Sequence, residues 1–186
     1  MGKVMFGLSA SLDGFIADKN DDVSEVFAWM GKAMERFHEV VGEGMNEGGA
    51  VVMGHRSFDQ IYSEHGWVMP DGTPLPWPVV VMQSQPRAPE KQAHTQFYFV
   101  TDGIESAIAK AKELAGEKNV ALHGASAVQQ ALKAGLLEEF HMSIAHVLLG
   151  EGVRLFDHLG NQPIHLEHLR TVESPGATHL SFRVVK

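Results

Sequence analysis

Apolar positions along the chain fall into two alternating patterns. Short unbroken runs predict strands buried on both faces: Val4-Met5-Phe6 with Leu8, Ala50-Val51-Val52-Met53, Val79-Val80-Val81-Met82, Phe97-Tyr98-Phe99-Val100 and Val120-Ala121-Leu122. Between them, apolar residues recur at three- and four-residue steps. Val23, Val26, Phe27, Met30, Met34, Phe37 and Val41 predict an amphipathic helix of about five turns. A shorter helix is expected from Gly54 to Tyr62. Ile104, Ala107, Ile108, Ala111 and Leu114 form the inner face of another, and residues 126–134 a further one. Residues 140–147 read as a sixth strand. Residues 164–173 and 178–185 read as a hairpin turning at Gly176. Asp22 with Glu25, Asp102 with Glu105, and Ser126 with Gln129 have capping-box spacing. Residues 63–78 hold four prolines and are expected to be irregular.

Apolar strands separated by helices argue for a mostly parallel sheet covered on both faces. No repeat, low-complexity tract or linker divides residues 1–186, so one α/β domain is expected. In such sheets ligands bind beyond the carboxyl ends of the strands, which directs attention to three loops. Gly54-His55-Arg56-Ser57 joins a strand to a helix, and a glycine followed by free helix N–H groups and basic or hydroxyl side chains suits a phosphate. Gly124-Ala125-Ser126-Ala127-Val128 is a second junction of this kind. Two of them suggest a dinucleotide, although GxGxxG is absent after the first strand. The third loop, around Asp13-Gly14, is either a plain turn or a mobile cover over the site.

Composition narrows the chemistry. Lys plus Arg number 15 against 23 Asp plus Glu, a formal charge of −8, which disfavours a nucleic-acid partner. A small basic cluster (His55, Arg56, Arg87, Lys91) is of the right scale for a dinucleotide. There is no cysteine, so thiolate nucleophiles, thiolate metal sites and CxxC redox chemistry are excluded. The eleven histidines lack HExxH spacing, and no metal is expected. No GxSxG elbow supports a hydrolase. No signal peptide or spanning run is apparent, and a cytoplasmic protein with no membrane partner is expected. Trp29, whose helix follows the first loop, is the tryptophan expected nearest a pocket.

The ordered set of motifs resembles the dihydrofolate reductase superfamily, and more closely the C-terminal reductase domain of the bifunctional riboflavin-biosynthesis deaminase–reductase. Ser11-Leu12-Asp13-Gly14-Phe15-Ile16-Ala17 is similar to that family's S-L-D-G-x-I-A. Val52 to Phe58 is similar to its strand–G-R-x-T/S–helix junction, and Val81 to Pro86 to the third-strand end of folate reductases. Gly135-Leu136-Leu137-Glu138-Glu139 and Leu148-Leu149-Gly150-Glu151-Gly152 are similar to G-L-V-D-E and L-L-G-x-G. The resemblance implies a dihydrofolate-reductase-like three-layer αβα sandwich, with a mostly parallel central sheet of about eight strands and a C-terminal antiparallel hairpin. It implies an NADPH-dependent reductase of a small heterocyclic or carbonyl substrate, similar to the 5-amino-6-(5-phosphoribosylamino)uracil reductase, and a homodimer. Cofactor phosphates would meet Gly54 to Ser57 and Gly124 to Val128. The adenosine end would lie near His55, Arg56, Gln83 and Ser84, and the nicotinamide against Ser9, Ala10 and Ile16. Asp13 and Glu25 are the candidate catalytic contacts to substrate.

Three departures are visible. Val26 stands about where folate reductases carry the pterin-binding acid, so a true dihydrofolate reductase is the weakest reading. The family's Gly-Gly is Gly124-Ala125. Its arginine after the strand-end glycine stands one position later, at Arg56. A non-catalytic nucleotide-binding protein that keeps the fold is the alternative from another class.

Overall fold

In a computed structural model, residues 2–31, 33, 47–59, 66–68 and 73–185 are described. The strands are β1 (Val4–Ser11), β2 (Phe15–Ala17), β3 (Gly48–Gly54), β4 (Val79–Met82), β5 (Glu90–Gln92), β6 (Thr95–Val100), β7 (Asn119–His123), β8 (Glu139–Ala145), β9 (Val153–Arg154), β10 (Leu166–Ser174) and β11 (Ala177–Val184). The helices are α1 (Ser24–Phe27), α2 (His55–Ser57), α3 (Ile104–Ala115) and α4 (Ala125–Lys133).

Nine strands form one sheet in the order β10-β11-β8-β1-β7-β3-β4-β6-β5. The six from β8 to β6 run parallel. Five of them, all but β8, are the strands that read as apolar runs, because most of both faces is covered by helices or loops. An antiparallel hairpin closes each end: β10–β11 as expected, and β5–β6, which the sequence did not signal. Glu90-Lys91-Gln92 carries no apolar residue, and it pairs only because β6 offers an edge. β2 and β9 form a separate two-stranded sheet. The β10–β11 turn is Pro175-Gly176, with Gly176 at φ +90°, a conformation glycine adopts without strain.

One face of the sheet packs on α3 and α4. Phe6 and Phe140, both essentially buried, stack there with ring centroids 4.8 Å apart and planes within 5°. On the opposite face, Val51, Met53, Val79, Val81 and Phe97 pack under Phe58, Trp67 and Trp77. Trp29, Met30 and Ala33 cover Ala145 and Ala177. Among the described residues, the second face is open between these two clusters.

Local details depart from expectation. The first helix breaks after Phe27: residues 28–29 form a turn, and residues 30, 31 and 33 are helical again. Met34, Phe37 and Val41, and the end of the expected 54–62 helix, lie outside the described residues. None of the three capping boxes forms. Asp22 accepts from the Ser24 backbone N–H at 2.9 Å and the Ser24 hydroxyl at 2.8 Å, as a turn. Gly103 and Gly124, both at positive φ, cap α3 and α4 without a side-chain bond. Gln129 donates instead to the carbonyls of Arg154 and Leu155.

Candidate active site

The open part of the second face is a cavity of about 970 Å³. It runs from the carboxyl ends of β3 and β7, at Gly54 and His123, back to Gly48 and Asn119 at their amino ends. Trp29, Trp67 and Trp77 all line it. Gly48 is what seats Trp77, since a Cβ there would fall 2.3 Å from the indole ring.

The two glycine junctions meet at one end. Gly54, Arg56, Ser57, Gly124, Ala125 and Ser126 all line the cavity. Gly124 sits at φ +83°, and a Cβ on it would lie 2.8 Å from the Ser57 hydroxyl. Glycine is therefore required there twice, by conformation and by space. It lets the start of α4 open directly into the cavity. Gly54 has an ordinary φ of −79° and no such crowding.

Ser9 and Ile16 also line the cavity. The remaining expected cofactor contacts do not. Ala10, Ala127 and Val128 are fully buried on the α3/α4 side of the sheet, because strand alternation and the inner face of α4 turn them into the core. His55 is exposed and pairs with Asp59 at 2.9 Å. Gln83 donates to the Gln85 carbonyl at 2.5 Å beside exposed Ser84, away from the cavity.

Three members of the basic cluster are matched by acids. Arg56 bonds Asp21, Arg87 bonds Glu90 at 2.6 Å while lying over the Phe99 ring, and His55 bonds Asp59. Arg56 and Asp21 both stand on the cavity wall, so the pair ties the loop after β2 to the β3–α2 junction.

Neither candidate catalytic carboxylate lines the cavity. Glu25 is exposed on α1, next to fully buried Val26. Asp13 accepts from the Ser11 hydroxyl at 2.5 Å and from the backbone N–H groups of Gly150 at 2.7 Å and Leu149 at 3.2 Å. The Ser11 hydroxyl, then these N–H groups, hold its carboxyl down at about 2. Asp13 thus clamps the loop between β8 and β9 to the loop after β1. Gly152 completes the clamp: at φ +144°, with a Cβ position 2.1 Å from the Ala17 carbonyl oxygen, it admits the β2–β9 pairing. The loop read as either a plain turn or a mobile cover is tied down, and the S-L-D-G and L-L-G-x-G stretches are the two halves of the tie.

What the sequence reading passed over is a polar floor. His141-Met142-Ser143 on β8 and His179-Leu180-Ser181 on β11 share one spacing, and the antiparallel register crosses them reciprocally. His141 Nδ1 lies 2.7 Å from the Ser181 hydroxyl, and His179 Nδ1 lies 2.8 Å from the Ser143 hydroxyl. Ser174 meets His179 Nε2 at 2.7 Å. Trp29 lies edge-on to His179, with ring centroids 4.7 Å apart, and donates its indole N–H to Ser9 at 3.1 Å. Burial lowers the pKa of His179, and lowers that of His123, packed edge-on to Trp67, to about 4. Burial favours the neutral form of both rings. Two H-x-S triplets, each predicted on a strand, were the available signal for this floor.

Comparison with known proteins places this arrangement. The profile of the RibD C-terminal domain matches residues 2–180. YyaP of Bacillus subtilis (strain 168), an uncharacterised protein, is 27% identical over 174 residues, covering 91% of this chain and 87% of that one. A Shewanella sp. PV-4 protein provisionally named for riboflavin biosynthesis superimposes with a TM-score of 0.76 at 22% identity, covering 100% of both chains. The dihydrofolate reductase of Enterococcus faecalis, solved with NADP(H), superimposes with a TM-score of 0.65 at 12% identity, covering 100% of this chain and 98% of that one. The fold is that of the dihydrofolate reductases, and the chain belongs to the RibD C-terminal domain family.

Proposed function

We propose that this protein is an NADPH-dependent reductase of a small heterocyclic or carbonyl substrate, akin to the uracil reductases of riboflavin synthesis. The observation that carries the reading is the cavity at the strand ends, where Gly124 brings the start of α4 against Ser57. Its volume is at the upper end of ligand pockets, roughly 300–1,000 Å³, and accommodates a cofactor together with a small substrate.

The residues present fit such a cofactor. α4 spans nine residues, so its first N–H groups carry the positive end of a real helix dipole. With Ser57 and Ser126 they form the donor set a pyrophosphate requires, and Arg56 stands at the adenosine end. Ser9 and Ile16 would hold the nicotinamide, with the Ser9 hydroxyl oriented by the Trp29 indole. When bound, the nicotinamide supplies the hydride. The chain's part is to position the reactants and exclude water, and the three tryptophans and the pinned β2–β9 cover serve that end. Buried Val26 and outward Glu25 offer no acid for a pterin ring, which sets dihydrofolate aside as substrate. The reading also includes a homodimer.

Arg56 tests the reading. Arg56→Ala is expected to raise the Kd for NADPH about tenfold and the Kd for NADH far less, because only NADPH carries the 2′-phosphate. Equal losses would remove Arg56 from that role. Loss of reduced-nicotinamide absorbance with a panel of heterocyclic imines and ketones separates a reductase from a protein that merely binds the nucleotide.

A further inference from the structure

Gly7 lies mid-strand in β1, at the centre of the sheet, yet it is exposed. Its neighbours Phe6 and Ser9 are buried. Among the described residues, a Cβ on Gly7 would meet nothing within 4 Å. The register sets His141 directly beside Gly7 on one side and Ser181 beyond it on β11. Ser9, against which the nicotinamide is placed, is two residues further along β1, about 7 Å away. The sheet thus has a hole at Gly7, with an imidazole on its rim and the nicotinamide end of the cavity one step along.

We propose that the substrate sits over Gly7 and that His141 is the catalytic acid that protonates it during reduction. This inference rests on the reductase reading above. Reduction of a C=N or C=O group adds two electrons and two hydrogens. The carbon receives the hydride, with both electrons, from the reduced cofactor, which is oxidised. The substrate nitrogen or oxygen receives a proton from Nε2 of the His141 imidazolium, which becomes neutral imidazole. The Ser181 hydroxyl at Nδ1 fixes the ring so that Nε2 is the transferring atom.

A route for replacing the proton adjoins the site. A smaller cavity of about 280 Å³ lies next to the floor, and His141, His179, Ser181, Met5 and Asn119 line both spaces. Lys3, Glu47, Glu139 and Arg170 line its outer part. Lys3 and Arg183 both bond Glu139, at 2.9 and 3.1 Å, and Glu47 accepts from the Asn119 side chain at 3.1 Å. Arg170 follows Ser181 in the same cross-strand row, and His179 is the next imidazole along β11. His141 therefore stands between an apolar reaction chamber and a charged cleft through which water reprotonates it. His179 is less suited to the role, since it is only 4% exposed and burial disfavours its charged form.

The test is an NMR titration of the histidine Cε1–H signals in the intact protein saturated with NADPH or with NADP⁺. The oxidised nicotinamide carries a positive charge that the reduced one lacks. A histidine beside it is expected to titrate about one pH unit lower in the NADP⁺ complex. Exposed His168, hydrogen-bonded to Thr171 on the outer strand β10, is expected not to move. The His141 signal is assigned by its loss in His141→Gln or, if that variant does not fold, by its nuclear Overhauser contact with Ser181. If both cofactors bind and His141 titrates identically in the two complexes, the proposal is overturned and the reductase reading stands. If neither cofactor binds, both fall.

Discussion

Gly124→Val is expected to weaken NADPH binding on the order of 100-fold while the far-ultraviolet circular dichroism stays that of the parent protein. Two independent demands meet at this position. The backbone there has φ +83°, which a β-branched residue adopts only under strain, and the Cβ would press on Ser57 Oγ at 2.8 Å. Either the start of α4 shifts away from the cavity or Ser57 swings out of it. Both outcomes dismantle the place where the two junctions converge. α4 itself keeps its buried face of Ala127, Val128, Ala131 and Leu132, so the fold persists. Gly124→Ala is expected to show a smaller loss in the same direction. Unchanged affinity in the valine variant would move the phosphates elsewhere. Gly54→Ala is the informative contrast: its φ is ordinary and its nearest atom, Ser126 Cβ, is 3.9 Å away, so the loss is expected to be slight.

Phe140→Ala carries the largest expected effect on stability, about 3–5 kcal/mol. Phe140 is 2% exposed and lies at the meeting point of three rings. It stacks on Phe6 at 4.8 Å and meets Phe182 at 5.4 Å and Phe156 at 6.0 Å. No neighbour can fill the space of a missing ring without leaving its own rotamer, so most of the cavity would persist. Urea unfolding monitored by tryptophan fluorescence would show the midpoint fall with little change in slope. Phe156→Ala, removing the 41% exposed outer ring, is expected to cost much less.

The parts of the fold that could be read from the sequence share a physical cause. β1, β3, β4, β6 and β7 are buried over much of both faces, so each writes an apolar run into the chain. β2, β5 and β9 have two or three residues each and exist only because tertiary pairing supplies a partner. No local pattern announces them. The capping boxes misled for a related reason. Ser126 and Gln129 have the right spacing, but Gly124 at positive φ already ends the loop, and Gln129 finds the carbonyls of Arg154 and Leu155.

At the site, the glycine junctions were legible because glycine at a strand end has few other reasons to be there. Asp13 was legible as important but not in kind. It looked like a substrate contact, and its carboxylate proved to be fully engaged with Ser11, Leu149 and Gly150, more than a hundred residues apart in the chain for the latter two. The histidine–serine floor was hidden because it arises from register. His141 and Ser143 say nothing until β11 is laid antiparallel to β8 and brings Ser181 and His179 against them.

The central claim is that the cavity binds a reduced nicotinamide dinucleotide. Titration of the purified protein with NADPH, followed by tryptophan fluorescence, tests it directly, because Trp29, Trp67 and Trp77 all line the cavity. The account predicts saturable quenching at micromolar cofactor, and a flat response through millimolar NADPH would contradict it.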